Sequence, residues 1–214
     1  MKDTPKITPD LLVQAYKAGV FPMAEGADDD ALFWVDPPER GIIPIDGFHA
    51  SRSLIKRIKT NDYEASLNQC FSRVMANCAA RNVTWINKPI TELFTELHRQ
   101  GLAHSMEIWR KDELIGGVYR LALGGAFFGE SMFSTQRDGS KLALYALLNL
   151  LRTAGFTLFD TQFLTPHLAS LGGQEISRAQ YRHLLSIALH QQVAPQVLTA
   201  RPRYALTHSM TQIS

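Results

Sequence analysis

Residues 103–133 read AHSMEIWRKDELIGGVYRLALGGAFFGESMF, and most of the predicted sheet lies in these residues. Its segments 105–110 and 113–123 are largely apolar and flank the polar pair Lys111-Asp112. Two such segments that are separated by two polar residues are typical of a β-hairpin. A third segment of the same character covers residues 125–133. The stretch therefore predicts three consecutive strands.

A helix and a further strand follow these three strands. Residues 140–154 carry a long apolar helical pattern that ends at Gly155, and residues 157–162 form a short apolar run that is typical of a strand. Ser177 is placed to cap a last helix that ends near residue 190. This order of elements predicts an α/β fold of the α+β kind, with a mixed sheet that is antiparallel in part.

The beginning of the chain predicts a short helix and then a break. Thr8, followed by a proline, is placed to start the helix, and Gly19 is placed to end it. Residues 21–40 contain three prolines and a run of acids, so they read as a loop and as the best domain boundary. We therefore predict a small, truncated N-terminal domain over residues 1–40 and a larger domain over residues 41–214.

The segment between this boundary and residue 103 predicts three more helices and one strand. A short helix is expected over about residues 50–59 and a strand near residues 63–67. Asn68 is placed to cap the second helix. Asn87 is placed to cap the third, which covers residues 89–100.

The composition is that of a globular protein. The chain has 214 residues, of which 45% are hydrophobic and 20% are charged, and this excludes a disordered chain. The longest apolar run, residues 142–151, has about half of the ~20 residues that a membrane-spanning helix needs. The N-terminus has no apolar signal segment. Cys70 and Cys78 lie too far apart along one predicted helix to form a disulfide. We therefore expect a protein of the reducing cytoplasm that does not enter a membrane.

A basic helical face is the first candidate site. Arg52, Lys56 and Lys59 have the spacing i, i+4, i+7, which places them on one side of the helix predicted over residues 50–59. Leu54 lies on the other side with two isoleucines. The pattern fits an amphipathic helix whose charges are merely solvated, and it also fits a face that binds the phosphates of a nucleic acid.

Glu130 is the second candidate. In a strand, a period of two would place Phe128, Glu130 and Met132 on one face. A carboxylate among apolar side chains is costly to ionise unless another group pairs with it. Glu130 could be paired for structural reasons or lie at an exposed edge, and it could also be an acid at the floor of an apolar pocket.

Asp160 and Gln162 form the third candidate, at the end of the strand predicted over residues 157–162. A period of two places both on the same side, and α/β sheets bind ligands at the carboxyl ends of their strands. Ordinary turn chemistry is the alternative. Residues 136–141 also partly match the loop with which acetyltransferases hold the pyrophosphate of CoA, but Lys141 replaces its last small residue.

Taken together, these segments resemble the leucyl/phenylalanyl-tRNA–protein transferase family. The resemblance covers about residues 15–185 and rests on several motifs that occur in one order. They are Ala18-Gly19-Val20-Phe21-Pro22, Trp34 with Pro37-Pro38, His49-x-Ser51-Arg52-Ser53, Thr84-Trp85-Ile86, His104-Ser105-Met106-Glu107-Ile108-Trp109-Arg110, Gly116-Gly117-Val118-Tyr119, Gly129-Glu130-Ser131-Met132-Phe133, Asp160-Thr161-Gln162 and Ala169-Ser170-Leu171-Gly172.

The resemblance implies a cytoplasmic, monomeric enzyme without a metal or cofactor. Such an enzyme moves Leu (or Phe, Met) from aminoacyl-tRNA, with Leu-tRNA and Phe-tRNA as its partners, to the α-amine of proteins that begin with Arg or Lys, and thereby marks them for N-degron proteolysis. It also implies a C-terminal domain with the GNAT acetyltransferase fold. The rival functions are an acetyl-CoA-dependent N-acetyltransferase of the GNAT type and a non-catalytic RNA-binding module.

The resemblance also assigns roles to individual residues. Its catalytic residues are Glu130, Asp160 and Gln162, and we expect Gln162 to accept a hydrogen bond from the amine while Asp160 orients its amide. The remaining assignments are the aminoacyl pocket and the contacts with tRNA. The pocket consists of Phe127, Phe128, Met132 and Val118, and the tRNA-binding residues are Trp85, Arg52, Lys56 and Lys59. Met23 stands where many members have a Trp that contributes to the adenosine site.

Overall fold

The computed structural model describes residues 7–27, 29, 31–60, 62–81 and 84–207, which form ten strands and seven α-helices. The strands are β1 (Phe21–Met23), β2 (Phe33–Val35), β3 (Glu39–Ile42), β4 (Glu64–Leu67), β5 (Ala103–Arg110), β6 (Glu113–Leu123), β7 (Ala126–Ser134), β8 (Leu158–Gln162), β9 (Gln174–Ser177) and β10 (Arg201–Ala205). The helices are α1 (Pro9–Lys17), α2 (Arg52–Lys59), α3 (Phe71–Ala79), α4 (Lys88–Arg99), α5 (Gly139–Ala154), α6 (Pro166–Ala169) and α7 (Arg178–Leu189).

Eight strands form one mixed sheet in the order β10-β4-β5-β6-β7-β8-β3-β9. Strands β7 and β8 run parallel, and the other neighbours are antiparallel. The turns between β5, β6 and β7 are tight, and Lys111 and Gly124 adopt positive φ in them. Helix α5 provides the crossover that two parallel strands require. The predicted α/β fold with a partly antiparallel sheet is confirmed.

The helices cover the sheet in two layers. One layer contains α1, α3, α4 and α7, which bury residues such as Tyr16, Phe94 and Tyr181 against the sheet. The other layer contains α2, α5 and α6, which bury residues such as Ile58 and Leu147. We call these the α4 layer and the α5 layer. Both faces of the central strands are therefore buried, which explains their nearly continuous apolar sequence.

Most predicted helix starts are confirmed. Thr8, Asn87 and Ser177 each accept a hydrogen bond from the backbone N–H three residues later, which satisfies a donor that the helix itself leaves free. None of the helices among the described residues is both long and apolar enough to cross a membrane.

The prediction that Asn68 caps α3 is wrong. Asn68 has a left-handed backbone with φ of 59°, and its side chain contacts His104 Nδ1, the Ser105 N–H and the Leu198 carbonyl. It therefore joins β4 to the neighbouring strand and to the C-terminal segment. Cys70 takes the cap position without a side-chain hydrogen bond. Cys70 and Cys78 are free thiols, as predicted.

The prediction that residues 21–40 are a loop is also wrong in part. Strands β1 and β2 form a small antiparallel ribbon within this segment. Strand β3 begins at Glu39 and pairs with β8 on one side and β9 on the other. Three-residue strands leave too short a pattern to be recognised in a proline-rich sequence. The division into residues 1–40 and 41–214 stays a prediction.

Candidate active site

The candidate site lies where the two parallel strands diverge. The register of β7 and β8 consists of Ala126 with Leu158, Phe127 with Phe159, and Phe128 with Asp160. Strand β7 then continues to residue 134 without a further pair to β8 in the described register. Side chains just beyond the last pair therefore lie at the opening of the sheet, at the carboxyl end of β8 and beside the middle of β7. Glu130 and Gln162 lie at this opening.

A β-bulge places Glu130 in the site. Tyr119 pairs with Ser131 and Arg120 pairs with Gly129, so Glu130 faces no residue of β6. The bulge also interrupts the alternation of side chains along β7. Phe128 packs against Tyr16 in the α4 layer, whereas Met132 packs in the α5 layer. The prediction that Phe128, Glu130 and Met132 share one face is therefore wrong.

Glu130 is a buried carboxylate with one satisfied oxygen. Its Oε1 accepts hydrogen bonds from the Tyr16 hydroxyl at 2.7 Å and from the Gln162 side-chain amide at 3.3 Å. Its Oε2 is buried and has no hydrogen-bond partner among the residues that the structure describes. Burial raises the pKa of Glu130 to about 7, and the two hydrogen bonds and the charge of Arg120 oppose this rise. Glu130 can therefore change its charge near neutral pH.

Asp160 is fully buried and is held by two other segments of the chain. The Arg40 guanidinium donates to both of its carboxylate oxygens, at 2.9 and 2.6 Å, and the Tyr181 hydroxyl donates at 2.8 Å. The guanidinium lies between the rings of Phe21 and Tyr181, at 4.5 and 4.4 Å from their centroids. The sequence did not reveal Arg40, because neither a periodic pattern nor a motif links it to a residue so distant in the chain.

Gln162 is held by the other two predicted catalytic residues. Its backbone is left-handed, with φ of 63°, and its N–H donates to Asp160 Oδ1 at 2.7 Å. Its side-chain amide donates to Glu130. The structure thus brings the three predicted residues together, but Asp160 fixes the backbone of Gln162 and Glu130 orients its amide. The expectation that Asp160 orients the amide is wrong.

Unpaired polar groups are concentrated around this opening. Six buried side-chain N or O atoms have no hydrogen-bond partner in the described part of the chain. Four of these belong to the site, and they are Tyr119 Oη, Arg120 Nε, Glu130 Oε2 and Thr161 Oγ1. Because buried polar groups are nearly always paired, this concentration distinguishes the opening from the rest of the core.

Arg120 is a site residue that the sequence did not reveal. It lies on β6 between Val118 and Ala122, and its guanidinium lies 4.7 Å from the centroid of Phe159 in the α5 layer. A side chain at Gly129 would overlap the guanidinium. Burial lowers the pKa of Arg120 to about 10, while the charge of Glu130 opposes this change. The available signal in the sequence was Gly129, directly before Glu130, because a glycine within a strand can leave space for a bulky side chain on the neighbouring strand.

Two family models match the chain. The model described as leucyl/phenylalanyl-tRNA protein transferase matches residues 42–186, and the model for the N-terminal domain of that transferase matches residues 6–38. The chain belongs to the leucyl/phenylalanyl-tRNA protein transferase family. The resemblance that the sequence motifs indicated is thereby confirmed.

Curated members of the leucyl/phenylalanyl-tRNA protein transferase family match nearly the whole chain. The protein of that name from Ruegeria sp. strain TM1040 is 55% identical over 203 residues, which cover 91% of this chain and 97% of the relative. The one from Dinoroseobacter shibae is 55% identical over 198 residues, which cover 92% and 87%. Among solved structures, the chain resembles L-PGS from Bacillus licheniformis with a TM-score of 0.42 and 13% identity, over 77% of this chain and 56% of that chain.

The structure separates the residues that the transferase-family motifs assign to the aminoacyl pocket. Val118 and Phe127 are fully buried in the α5 layer, and Met132 is partly buried there. Phe128 lies on the opposite face of the sheet. The four side chains therefore do not line one face. Phe159 lies beside Phe127, and the two rings stack with 6.1 Å between their centroids.

The residues that the family motifs assign to tRNA binding lie in both layers. Arg52, Lys56 and Lys59 are exposed on α2, and no ion pair involves them among the described residues. Trp85 is partly buried and packs in the α4 layer, so the structure does not bring it together with the basic face. Met23 also packs in the α4 layer, on strand β1.

Proposed function

We propose that this chain is an aminoacyltransferase that moves Leu, Phe or Met from aminoacyl-tRNA to the α-amine of proteins beginning with Arg or Lys. Membership of the leucyl/phenylalanyl-tRNA protein transferase family supports the reaction class. The convergence of Glu130, Asp160 and Gln162 where β7 and β8 diverge is the structural observation that carries the proposal. The modified proteins would then be recognised for N-degron proteolysis.

The reaction requires positioning more than activation. The nucleophile is an α-amine with a pKa near 7.7–8, so roughly a tenth of it is neutral at pH 7. The ester of an aminoacyl-tRNA is already reactive, and the correct placement of amine and ester can supply much of the acceleration. The amide nitrogen of Gln162 contacts Glu130, which leaves the amide oxygen to accept a hydrogen bond from the amine.

The bond changes follow from this placement. The amine nitrogen forms a bond with the ester carbonyl carbon, and the bond between that carbon and the ribose oxygen breaks. The proton that the amine loses ends on the ribose hydroxyl. A group that changes charge near pH 7, such as Glu130, is suited either to hold the incoming ammonium or to pass this proton. Both roles use the unpaired Oε2 atom.

The apolar side chains of the α5 layer are suited to receive the aminoacyl group. Val118, Phe127 and Met132 share this layer, and Phe159 packs beside them. Phe127, Met132 and Phe159 belong to the two strands that diverge at the site, and Val118 pairs with Met132 from β6. We propose these residues as the aminoacyl pocket, with Phe128 supporting the other face through its contact with Tyr16.

Transfer of labelled leucine tests the proposal. Leu-tRNA is incubated with the protein and with peptides that begin with Arg, Lys, Asp, Glu or Ala but are otherwise identical. Labelled product with the Arg and Lys peptides alone is expected. A second set of reactions contains labelled acetyl-CoA instead of Leu-tRNA. Acetylation of the peptides without any leucyl transfer would overturn the proposal in favour of an N-acetyltransferase.

A further inference from the structure

Three cations surround one carboxylate at the start of α5. Asp138 lies 3.2 Å from Arg57 Nε, 3.4 Å from Lys141 Nζ and 3.8 Å from Arg137 Nε. Its side chain is only 11% exposed, whereas that of Arg137 is 79% exposed. One carboxylate cannot neutralise three cations, so the group presents an excess of two positive charges to solvent. We call Arg57, Arg137, Asp138 and Lys141 the α5 cluster.

The α5 cluster is continuous with the basic face of α2. Arg57 belongs to α2, and it adjoins Lys56 in the sequence. Helix α2 begins at a Ser51 cap and buries Leu54 and Ile58, which leaves its cations on the outer side. The exposed charges of Arg52, Lys56 and Lys59 and the excess charge of the cluster therefore form one positive surface.

This surface leads to the candidate active site. The loop that carries the cluster follows β7, the strand of Glu130, and α6 follows β8, the strand of Gln162. His167 of α6 lies close enough to the cluster that the charge of Lys141 adds to burial in lowering the pKa of His167. The carboxyl ends of both strands therefore open toward the cluster, and a chain that entered the site from α2 would pass over it.

We propose that Arg57, Arg137 and Lys141 bind phosphodiester groups of the tRNA acceptor arm between the basic face of α2 and the catalytic centre. This inference rests on the tRNA substrate of the proposed function. In the free protein Asp138 holds the three cations in place, and on binding they exchange this single acid for phosphates. A polyanion gains from such a surface because it releases its condensed counterions.

The geometry favours tRNA over the pyrophosphate of a CoA cofactor. The carboxylate of Asp138 lies at the start of α5, where it would repel an anion drawn to the helix N-terminus. Gly139 packs against the backbone of Ile115 and Gly116, which leaves the first turn of the helix little room for a cofactor. A phosphodiester chain needs only the exposed ends of the cations, which the cluster provides.

The test measures binding of deacylated tRNA for leucine to the full chain at several salt concentrations. Arg137→Gln with Lys141→Gln removes two cations of the cluster. Lys88→Gln with Arg99→Gln is the control, because it removes the same charge from α4 on the opposite layer. The cluster variant is expected to flatten the slope of log affinity against log salt by about 1.4–1.8, at ~0.7–0.9 for each of two phosphate contacts. The control is expected to keep the slope.

Asp138→Asn should strengthen tRNA binding, whereas the cluster variant should weaken it. Asn tolerates a left-handed backbone such as that of Asp138, with φ of 68°, so the variant should fold normally. It releases the cations from the only acid that pairs with them among the described residues, and tRNA should bind about two- to fivefold more tightly. Unchanged affinity in this variant, together with equal slopes in the cluster and control variants, would overturn the proposal. Micromolar binding of CoA that the cluster variant loses, with tRNA binding unchanged, would also overturn it.

The binding result is separable from the proposed reaction. If neither the wild type nor any variant transfers leucine but tRNA binding follows the expected pattern, the proposed function is wrong and the proposed binding surface is supported. If transfer proceeds normally while the cluster variant binds tRNA like the control, the surface fails and the function stands.

Discussion

Arg40 and Asp160, which are 120 residues apart in the chain, form a buried bidentate ion pair. Both side chains are at most 1% exposed, and Tyr181 adds a third hydrogen bond to the carboxylate. The pair joins β3 to β8, and Tyr181 joins α7 to both. Segments from the beginning and the end of the described chain thus hold Asp160, and through Asp160 they hold the backbone of Gln162.

Arg40→Met should destabilise the protein strongly. It leaves the buried carboxylate of Asp160 without its counter-ion, and the loss of one partner of a buried pair costs about 3–5 kcal/mol. Arg182→Met is the control, since Arg182 is half-exposed and pairs with Asp36 at the surface, where the cost is roughly 0–1 kcal/mol. Urea denaturation of both variants measures the two free energies. Equal losses of unfolding free energy in the two variants would show that the buried Arg40–Asp160 pair stabilises the protein no more than the surface pair does.

Gln162→Ala should impair transfer much more than it impairs tRNA binding. The variant removes the proposed acceptor for the amine, and one polar contact made mainly in the transition state is worth about 10²–10³ in rate. Single-turnover transfer and tRNA binding are measured side by side. Gln162→Glu keeps the shape and an acceptor oxygen but loses the donor to Glu130. Nearly normal transfer by the Ala variant would exclude the end of β8 as the catalytic centre.

Local signals in the sequence were sufficient for most of the fold. Apolar runs predict the three central strands and the long helix α5, and capping residues predict three helix starts. Each of these signals covers only a few neighbouring positions of the sequence. Glu130, Asp160 and Gln162 stood out for the same reason, as polar residues within or at the end of apolar strands. These features depend on neighbours in the sequence, so one sequence can reveal them.

Features that depend on distant partners could not be predicted. Arg40 faces Asp160 only because β3 lies between β8 and β9, and no sequence pattern near residue 40 indicates this pairing. The bulge at Glu130 shifts Met132 to the other layer, and a period of two cannot detect an extra residue. Arg120 lies in an apolar layer because Gly129 leaves space across the strand pair.

Glu130→Gln should change how the stability of the protein depends on pH. The pKa of Glu130 is about 7 in the folded protein against an ordinary value of 4.5. The folded state therefore keeps this proton to a higher pH than the unfolded chain does. The stability contributed by the protonated group is complete below pH 4.5 and is lost as the pH rises through 7.

The unfolding free energy of the wild type relative to Glu130→Gln should thus fall across this interval, by roughly 3 kcal/mol at most at 1.36 kcal/mol per pKa unit. Urea denaturation at several pH values gives both curves. Tyr16→Phe is a useful comparison, because the Tyr16 hydroxyl lowers the pKa of Glu130 and its loss should extend the decline to higher pH. Parallel curves for wild type and Glu130→Gln would contradict the assignment.

Arg120→Met should change the stability and the activity of the protein in opposite directions. Arg120 is a buried cation whose Nε has no hydrogen-bond partner among the described residues, and the charges of Glu130 and Asp160 oppose the effect of burial on its pKa. Replacing a whole buried ion pair with apolar groups of similar size is often neutral or stabilising by about 1–4 kcal/mol, and Arg120→Met approaches this case when Glu130 is protonated and carries no charge. The gain should be largest below pH 6, where Glu130 is protonated and leaves Arg120 without that partner, and it should shrink as Glu130 ionises.

The same substitution should slow transfer, because it removes a charge that favours the ionised form of Glu130. Without Arg120 the pKa of Glu130 rises further, so the pH at which transfer becomes fast should shift upward. Arg120→Lys keeps the charge and should retain most of the wild-type pH profile. Transfer rates and urea denaturation across pH 5–9 distinguish the two effects. If Arg120→Met loses stability at every pH and keeps its pH profile, Arg120 supports the fold and does not act on Glu130.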